Sequence, residues 1–373
     1  MTVIVQKRGV CKGLALKMQY LTIIDPLQNK NWDTFIEGHP CGWLHHLSDW
    51  KKVLEEIFPH LTGHYVALMD NEKNQSIQAA LPLFLVKSRF WRNKFVSIPF
   101  TTICDPLVSN SEEMKVLFDK ALELSRDFNV QDIEIRTFNT YKYLNNSAGE
   151  CNRSYVQQYI KLDKTPDELW NTFHKKTIRR KIKKALKSDL KLAIADNEDD
   201  LRVFYHLYLR TRKRLGLPVH PYRFFKALWQ TFHSKDQLSL HLADYNGKII
   251  AGIIFFKYKK RVSMEFVGSD KNYNNLCPDH FLYWHMIKSA FEEGIEIVDL
   301  GRTSINNQGL MEFKSRWGTE IQEMPIYYYP KISDMDIKPP ESTRTYELIR
   351  KINRNSPHFL YHFVSRFYYR HAS

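Results

Sequence analysis

Asp299 to Gly318, DLGRTSINNQGLMEFKSRWG, carries the residue types in this sequence best suited to chemistry. An apolar run closes on the carboxylate of Asp299, and a polar stretch containing Gly301 and Gly309 follows. Phe313, Lys314, Arg316 and Trp317 then crowd together ahead of Gly318. The pattern predicts a buried strand that ends at Asp299 and hands over to a polar loop. Polar loops at strand ends are where sites are built on mixed α/β scaffolds. A lysine held there can steady a developing oxyanion or grip a phosphate; a surface loop with packed aromatics is the competing reading. For the proton that such a reaction must move, the sequence offers Asp279, Glu265 and Asp299 without ranking them.

A second stretch, FHKKTIRRKIKKALKSDLKL from Phe173 to Leu192, is the most basic in the chain. Ile178, Ile182, Ala185 and Leu186 recur at helical spacing and predict the stripe by which a helix docks. Lys and Arg fill the rest of its circumference. Such a run is either a solvated face or a wall on which Arg179, Arg180, Lys183 and Lys184 converge on an anionic ligand.

Other chemistries lack their motifs. There is no GxSxG, HExxH, P-loop or GxGxxG sequence, and His45-His46 has no third ligand nearby. No metal and no tightly bound cofactor are expected. Cys11, Cys41, Cys104, Cys151 and Cys277 are scattered, odd in number and never spaced CxxC, which fits a reducing cytoplasm. A net charge of +14 on 373 residues favours an anionic partner. No helix-turn-helix, zinc-finger or RRM signature is present, so sequence-specific DNA reading is not expected. The longest apolar run, Ile249 to Phe256, is too short to cross a bilayer. Gln6, Lys7, Arg8 and Lys12 interrupt any signal-peptide core.

The elements that must position these residues are written twice. In the first half a helix, Leu47–Phe58, leads to a strand, His64–Met69, and a polar turn, Asp70–Asn74. Strands Ile77–Val86 and Phe95–Phe100, a helix Glu112–Phe128 and a strand Asp132–Thr137 follow. In the second half, helices Leu201–Leu215 and Tyr222–Phe232 lead to a strand, Leu238–Asp244, and a hairpin turn at Asn246-Gly247. Strands Lys248–Tyr258 and Arg261–Val267, a helix Asp279–Glu293 stopped by Gly294, and a strand Ile295–Leu300 complete the copy. The expected class is therefore α+β, with two tandem domains, each a mixed, mostly antiparallel sheet flanked by helices. Thr165-Pro166-Asp167-Glu168 is a capped helix start. Domains are expected at 1–160 and 161–335, then the linker Lys338-Pro339-Pro340 within a basic amphipathic tail, 336–373.

With these residues in place a resemblance emerges. WLHHLSDWKKVLEEIF, AALPLFLVKSRFWRNKFVSIPF, KKTIRRKIKKA, DHFLYW, DLGRTS and EFKSRWG, in this order over residues 40 to 330, resemble the FemAB-related family of the GNAT superfamily. The nearest flavour is the branch with a BioF2-like acetyltransferase domain, associated with exopolysaccharide and exosortase systems. The resemblance implies two GNAT-like domains and an acyl- or aminoacyltransferase that forms an amide bond on a primary amine of a cell-envelope precursor. Peptidoglycan peptide and exopolysaccharide amino sugar are the acceptors it suggests, and aminoacyl-tRNA or acyl-CoA the donors. Phe313 and Lys314 match the family's catalytic FK pair; Arg302 matches a GRS-type loop; Asp279, Tyr283 and Trp284 match a DFxYW helix. The resemblance thus makes Lys314, Arg302 and Asp279 catalytic candidates, with Phe313, Trp317, Glu265, Tyr283, Trp284, Arg179, Arg180 and Lys183 lining the substrate site. One departure stands out. Acetyl-CoA-using GNAT domains cradle the pyrophosphate on a glycine-rich loop ahead of a helix, whereas DKNYNNLCPD, Asp270 to Asp279, has no glycine and its Pro278 lacks an N–H.

In the tail, Phe359, Leu360, Phe363, Val364, Phe367 and Tyr368 recur at helical spacing beyond Pro357. This predicts either an interfacial helix that meets a membrane holding a lipid-linked substrate or a helix packed on the body of the protein. A cytoplasmic protein, peripheral at the inner face of the membrane, is the expectation. Two alternatives carry different consequences: an acyl-CoA-dependent N-acetyltransferase acting on an amino sugar, and a non-catalytic module that binds polysaccharide or lipid-linked partners.

Overall fold

The computed structural model describes residues 3–4, 19–70, 76–87, 92–102, 104–144, 150–330 and 344–371. The polar turn expected at 71–74, the N-terminal basic residues, Cys11 and the linker at 338–340 lie outside them. The strands in chain order are β1 (Val3–Ile4), β2 (Gln19–Ile24), β3 (Leu61–Asp70), β4 (Ile77–Val86), β5 (Lys94–Val96), β6 (Asp132–Arg136), β7 (Glu150–Asn152) and β8 (Tyr155–Lys161). They continue with β9 (Leu190–Ile194), β10 (Leu238–Tyr245), β11 (Lys248–Tyr258), β12 (Arg261–Ser269), β13 (Ile297–Ser304), β14 (Glu320–Glu323) and β15 (Ile326–Tyr329). The helices are α1 (Trp32–Gly38), α2 (Ser48–Ile57), α3 (Ser111–Asp127), α4 (Pro166–Thr172), α5 (Arg180–Leu186), α6 (Glu198–Leu215), α7 (Tyr222–Phe232), α8 (Pro278–Glu292), α9 (Gln308–Ser315), α10 (Arg344–Asn355) and α11 (His358–His371).

Two compact units form, one from residues 1–153, 324–337 and 370–373, the other from 154–323 and 338–369. The first holds the sheet β1-β2-β3-β4-β5-β6-β15-β7, parallel only between β5 and β6. Its core gathers Leu81, Leu83 and Phe95 beneath Leu117, Phe118 and Leu124 of α3. The second holds β14-β8-β13-β12-β11-β10-β9, parallel only between β12 and β13. Its core sets Ile253 and Phe255 against Leu282, Met286 and Ile287 of α8. The repeated order is real: β3-β4-β5-α3-β6 in one unit matches β10-β11-β12-α8-β13 in the other.

The divisions differ from those expected at 160 and 335. Strand β8 pairs with β13 and β14, so the second unit begins before the capped helix start at Thr165. Strand β15 pairs with β6 and β7 and returns the chain to the first sheet. Neither segment is among the strands expected from the sequence, and no local pattern says which sheet receives it. The expected strand Phe95–Phe100 pairs only as far as Val96, and Phe100 takes a positive φ of 58°, which no strand accommodates.

The basic stretch opens with one π turn, Lys175–Arg179, before α5. Ile178, Ile182 and Ala185 are buried. Leu186, expected in the same stripe, is 48 % exposed. It sits one residue, about 100°, past Ala185, on the last residue of the helix, which turns it away from α8. The tail forms two helices, α10 and α11, on either side of Pro357.

Candidate functional site

The arrangement that concentrates chemistry is an opening in the second sheet. Strands β12 and β13 pair only through Arg261–Ser263 and Ile297–Asp299. Beyond Ser263 and Asp299 the strands have no mutual pairing, although β12 stays on β11 to Ser269 and β13 stays on β8 to Ser304. An opened edge exposes peptide groups that need partners, and side chains supply them.

The segment expected as a loop after Asp299 is instead strand, continuing to Ser304. Gly301 makes this possible: at φ +81° it forms a bulge that L side chains enter only under strain. Its N–H donates to Asp299 Oδ1 at 2.7 Å. Asn307 then caps α9 by accepting from the Leu310 N–H at 3.2 Å, so Phe313 and Lys314 ride on a helix aimed back at the bulge. Lys314, 6 % exposed, donates to Gly301 O at 2.6 Å, Thr303 Oγ1 at 2.8 Å and Arg302 O at 3.3 Å. All three of its donors meet the opened strand. Burial lowers its pKa to about 8, against the raising influence of Asp299.

Asp299 is fully buried. Besides Gly301 it accepts from Gln157 Nε2 of β8 and from Arg261 Nη1 at 3.3 Å. Burial still pushes its carboxyl up, with Arg261 the strongest opposing influence. Glu265 lies two residues past Ser263, the last position at which β12 pairs with β13. The Ser263 hydroxyl donates to its Oε1 at 2.5 Å, and burial first, then the Asp299 charge, push its carboxyl to about 8 against the Ser263 hydrogen bond. The opening therefore holds a carboxyl on β12 and an ammonium on α9, both shifted to about 8.

The remaining predicted residues fall into separate settings. The Arg302 guanidinium lies over the Tyr155 ring at 4.4 Å. Asp279, at the start of α8, is raised by burial while a Ser269 hydrogen bond lowers it; its Oδ1 is buried without a hydrogen-bond partner. Phe313 is half-buried and meets His280 and Tyr283 at ring distances of 5.9 and 6.3 Å. Trp317 is fully enclosed against Phe173, His280 and Tyr283, and Trp284 packs on Trp170 and Phe173. These tryptophans support the site from the core. In the basic stretch, Arg180, Lys183, Lys184, Lys187 and Ser188 line a shallow depression of about 520 Å³. Arg179 does not join them, since it donates to Phe173 O at 3.0 Å and Asn171 Oδ1 at 3.2 Å. Sequence reasoning did not reach Gln157, Arg261 or Ser263, which come from strands whose neighbours no local pattern reveals.

The stretch Asp270–Asp279 bears on the donor. Lys271–Leu276 is a 3₁₀ helix capped by Asp270, whose Oδ1 accepts from the Asn272 N–H at 3.0 Å. The N–H groups of Tyr273, Cys277, His280 and Phe281 go to carbonyls within the same turn. These amides are already committed rather than turned outward as a phosphate cradle.

Two such units in tandem, each a mostly antiparallel sheet with one parallel strand pair, have the tandem GNAT fold. Residues 172–315 match the Acetyltransferase (GNAT) domain family. The chain is 21 % identical to the Lipid II:glycine glycyltransferase of Staphylococcus epidermidis, across 80 % of this chain and 90 % of that protein. The Staphylococcus aureus protein of the same name gives the same figures. Among solved structures, FemX superposes with a TM-score of 0.68 at 17 % identity, covering 88 % of this chain and 99 % of FemX. A tandem GNAT protein from the clavulanic acid biosynthesis pathway gives 0.56 at 9 % identity, covering 83 % and 98 %. The chain thus carries a GNAT-domain match over residues 172–315 and, along most of its length, is similar to the Lipid II:glycine glycyltransferases and has the fold of FemX.

Proposed function

We propose that this chain is an aminoacyltransferase that forms an amide bond on a primary amine of a peptidoglycan precursor, with aminoacyl-tRNA as the donor. The observation that carries this reading is that Glu265 and Lys314, each next to Asp299 where β12 and β13 part, are a proton acceptor and a cation both shifted to about 8. Relatives that bear the name Lipid II:glycine glycyltransferase along most of the chain support the acceptor class.

The chemistry balances as follows. The acceptor's ammonium loses a proton to Glu265, and its nitrogen attacks the ester carbonyl carbon. The carbonyl π electrons move onto oxygen, and Lys314 steadies that oxyanion by exchanging its longest hydrogen bond, the 3.3 Å contact to Arg302 O, for it. Collapse re-forms the carbonyl and breaks the carbon–oxygen bond to the tRNA ribose, whose oxygen takes the proton that the attacking nitrogen, positively charged after the attack, gives up as it becomes the amide.

The donor assignment rests on two features together. In the turn before α8 the amides of Asn272, Tyr273, Cys277, His280 and Phe281 are already bonded rather than turned toward a CoA pyrophosphate, and the depression at Arg180, Lys183 and Lys184 suits a phosphodiester backbone. The site is cytoplasmic in this reading, where charged tRNA is found, and the C-terminal helices contact the membrane that holds a lipid-linked acceptor. The alternative, acyl-CoA with an exopolysaccharide amino sugar, is separated by one experiment. Purified protein is given aminoacyl-tRNA or acyl-CoA with stem-peptide precursors or amino sugars, and products are weighed by mass spectrometry. Aminoacylated stem peptide is the expected product. An acylated amino sugar formed from acyl-CoA alone, or acceptor binding without turnover, would overturn the proposal.

A further inference from the structure

Helix α11 has its faces reversed. An amphipathic helix ordinarily turns its apolar stripe inward. Here the inward stripe, at i, i+4 and i+8, is Tyr361, Ser365 and Tyr369, all buried. The Tyr361 hydroxyl donates to Leu217 O at 2.7 Å, Ser365 Oγ accepts from the Val219 N–H at 3.1 Å, and the Tyr369 hydroxyl meets His220 Nδ1 at 3.2 Å. Helix α10 is pinned in the same manner, Asn353 Nδ2 donating to Gly216 O at 3.1 Å and Arg350 Nε to Leu215 O at 3.3 Å. Both helices thus hold the segment that follows α6 through polar contacts.

Their apolar side chains face out. Phe359 is 77 % exposed and Phe363 66 %, on the side of α11 opposite Tyr361 and Ser365. On α10, Leu348 is 59 % exposed and Ile352 43 %, opposite Arg350. With Leu360, Phe367 and Tyr368, seven exposed large apolar side chains on two short consecutive helices are more than scattered surface residues. Between Arg344 and His371 the chain carries six Lys or Arg and one Glu. A second copy of this chain docked by the same face would bring two such basic sets together. Phenylalanines interleaved with arginines are what an anionic lipid surface accepts: rings enter the acyl boundary while guanidinium groups meet phosphates.

We propose that the outer face of α10 and α11, centred on Phe359 and Phe363, is a docking surface for a bilayer containing anionic phospholipid. This deepens the membrane part of the proposed function and names the face and the lipid. The test is flotation of the full chain with vesicles of phosphatidylcholine alone or of phosphatidylcholine with phosphatidylglycerol. Binding is expected to the second kind and to weaken with salt. Phe359→Ser and Phe363→Ser are each expected to lower the partition by about tenfold, with unchanged circular dichroism because neither side chain is buried. Failure of the parent to float with anionic vesicles, or equal flotation of both variants, overturns the inference. Self-association of the parent that both variants abolish, without vesicle binding, overturns it in favour of a second copy. Transfer to a soluble, lipid-free acceptor is measured alongside; its loss would count against the catalytic reading and leave the vesicle result to stand by itself.

Discussion

Replacing Lys314 by Met separates what the ammonium does for the fold from what it does for chemistry. Burial moves this lysine from 10.5 to about 8; at roughly 1.36 kcal/mol per pH unit, the fold carries a cost of about 3 kcal/mol for its charge at neutral pH. Methionine removes that cost and keeps most of the volume. It also leaves Gly301 O, Arg302 O and Thr303 Oγ1 without their donor, a loss of roughly 5 kcal/mol at typical values for buried acceptors. The net expectation near neutral pH is a variant less stable by about 2 kcal/mol. The folded state binds fewer protons than the unfolded one between pH 8 and 10.5, so the parent gains stability as pH rises through that window. The variant lacks this gain, and the gap should widen by about 3 kcal/mol. Urea unfolding followed by circular dichroism on either side of the window measures it. Transfer should fall about 10²- to 10³-fold if the cation steadies an oxyanion. A gap that stays constant with pH, together with unchanged transfer, would refute this account of Lys314.

Glu265→Gln acts in the opposite sense. The carboxyl is raised from 4.5 to about 8, so the parent loses stability as pH rises through that range, and the variant should overtake it in unfolding experiments on the alkaline side. Gly301→Ala places a Cβ at φ +81° with the nearest atoms at 3.6 and 3.9 Å; backbone strain alone should cost about 1–2 kcal/mol, read as a lowered urea midpoint. Arg180→Glu with Lys183→Glu should weaken tRNA binding and flatten its dependence on salt, measured by filter binding, while leaving the fold intact since both side chains are exposed. Ile182→Ala, at a fully buried position between α5 and the core, should cost about 2–4 kcal/mol without changing charge.

The repeat of meander, helix and parallel strand was legible in the sequence because alternation, the Asn246-Gly247 turn and the stop at Gly294 are local signals. So was the capping box at Thr165, realised by reciprocal bonds with Glu168. The exchange of β8 and β15 was not legible, because a strand's sequence states that it pairs but not with what. The site shows the same division. Lys314 and Glu265 announce themselves as ionisable residues in apolar surroundings, yet their pKa values depend on burial and on Asp299, and that of Glu265 also on Ser263. The segment after Asp299 looked like a loop because Gly301 and Asn307 are turn residues. In the structure one makes a bulge within the strand and the other caps a helix. Arg179 shows the limit of charge counting: its guanidinium secures the turn beneath the basic face instead of facing outward.

The central claim is that the opening between β12 and β13 passes an aminoacyl group to an amine, with Glu265 taking the proton. Single-turnover transfer from aminoacyl-tRNA to a stem-peptide amine, followed against pH in the parent and in Glu265→Gln, tests it most directly. The parent's rate should climb with pH to a plateau beyond about 8, and the variant should be slower by about 10²-fold with that limb gone. Identical profiles for the two proteins would contradict the claim.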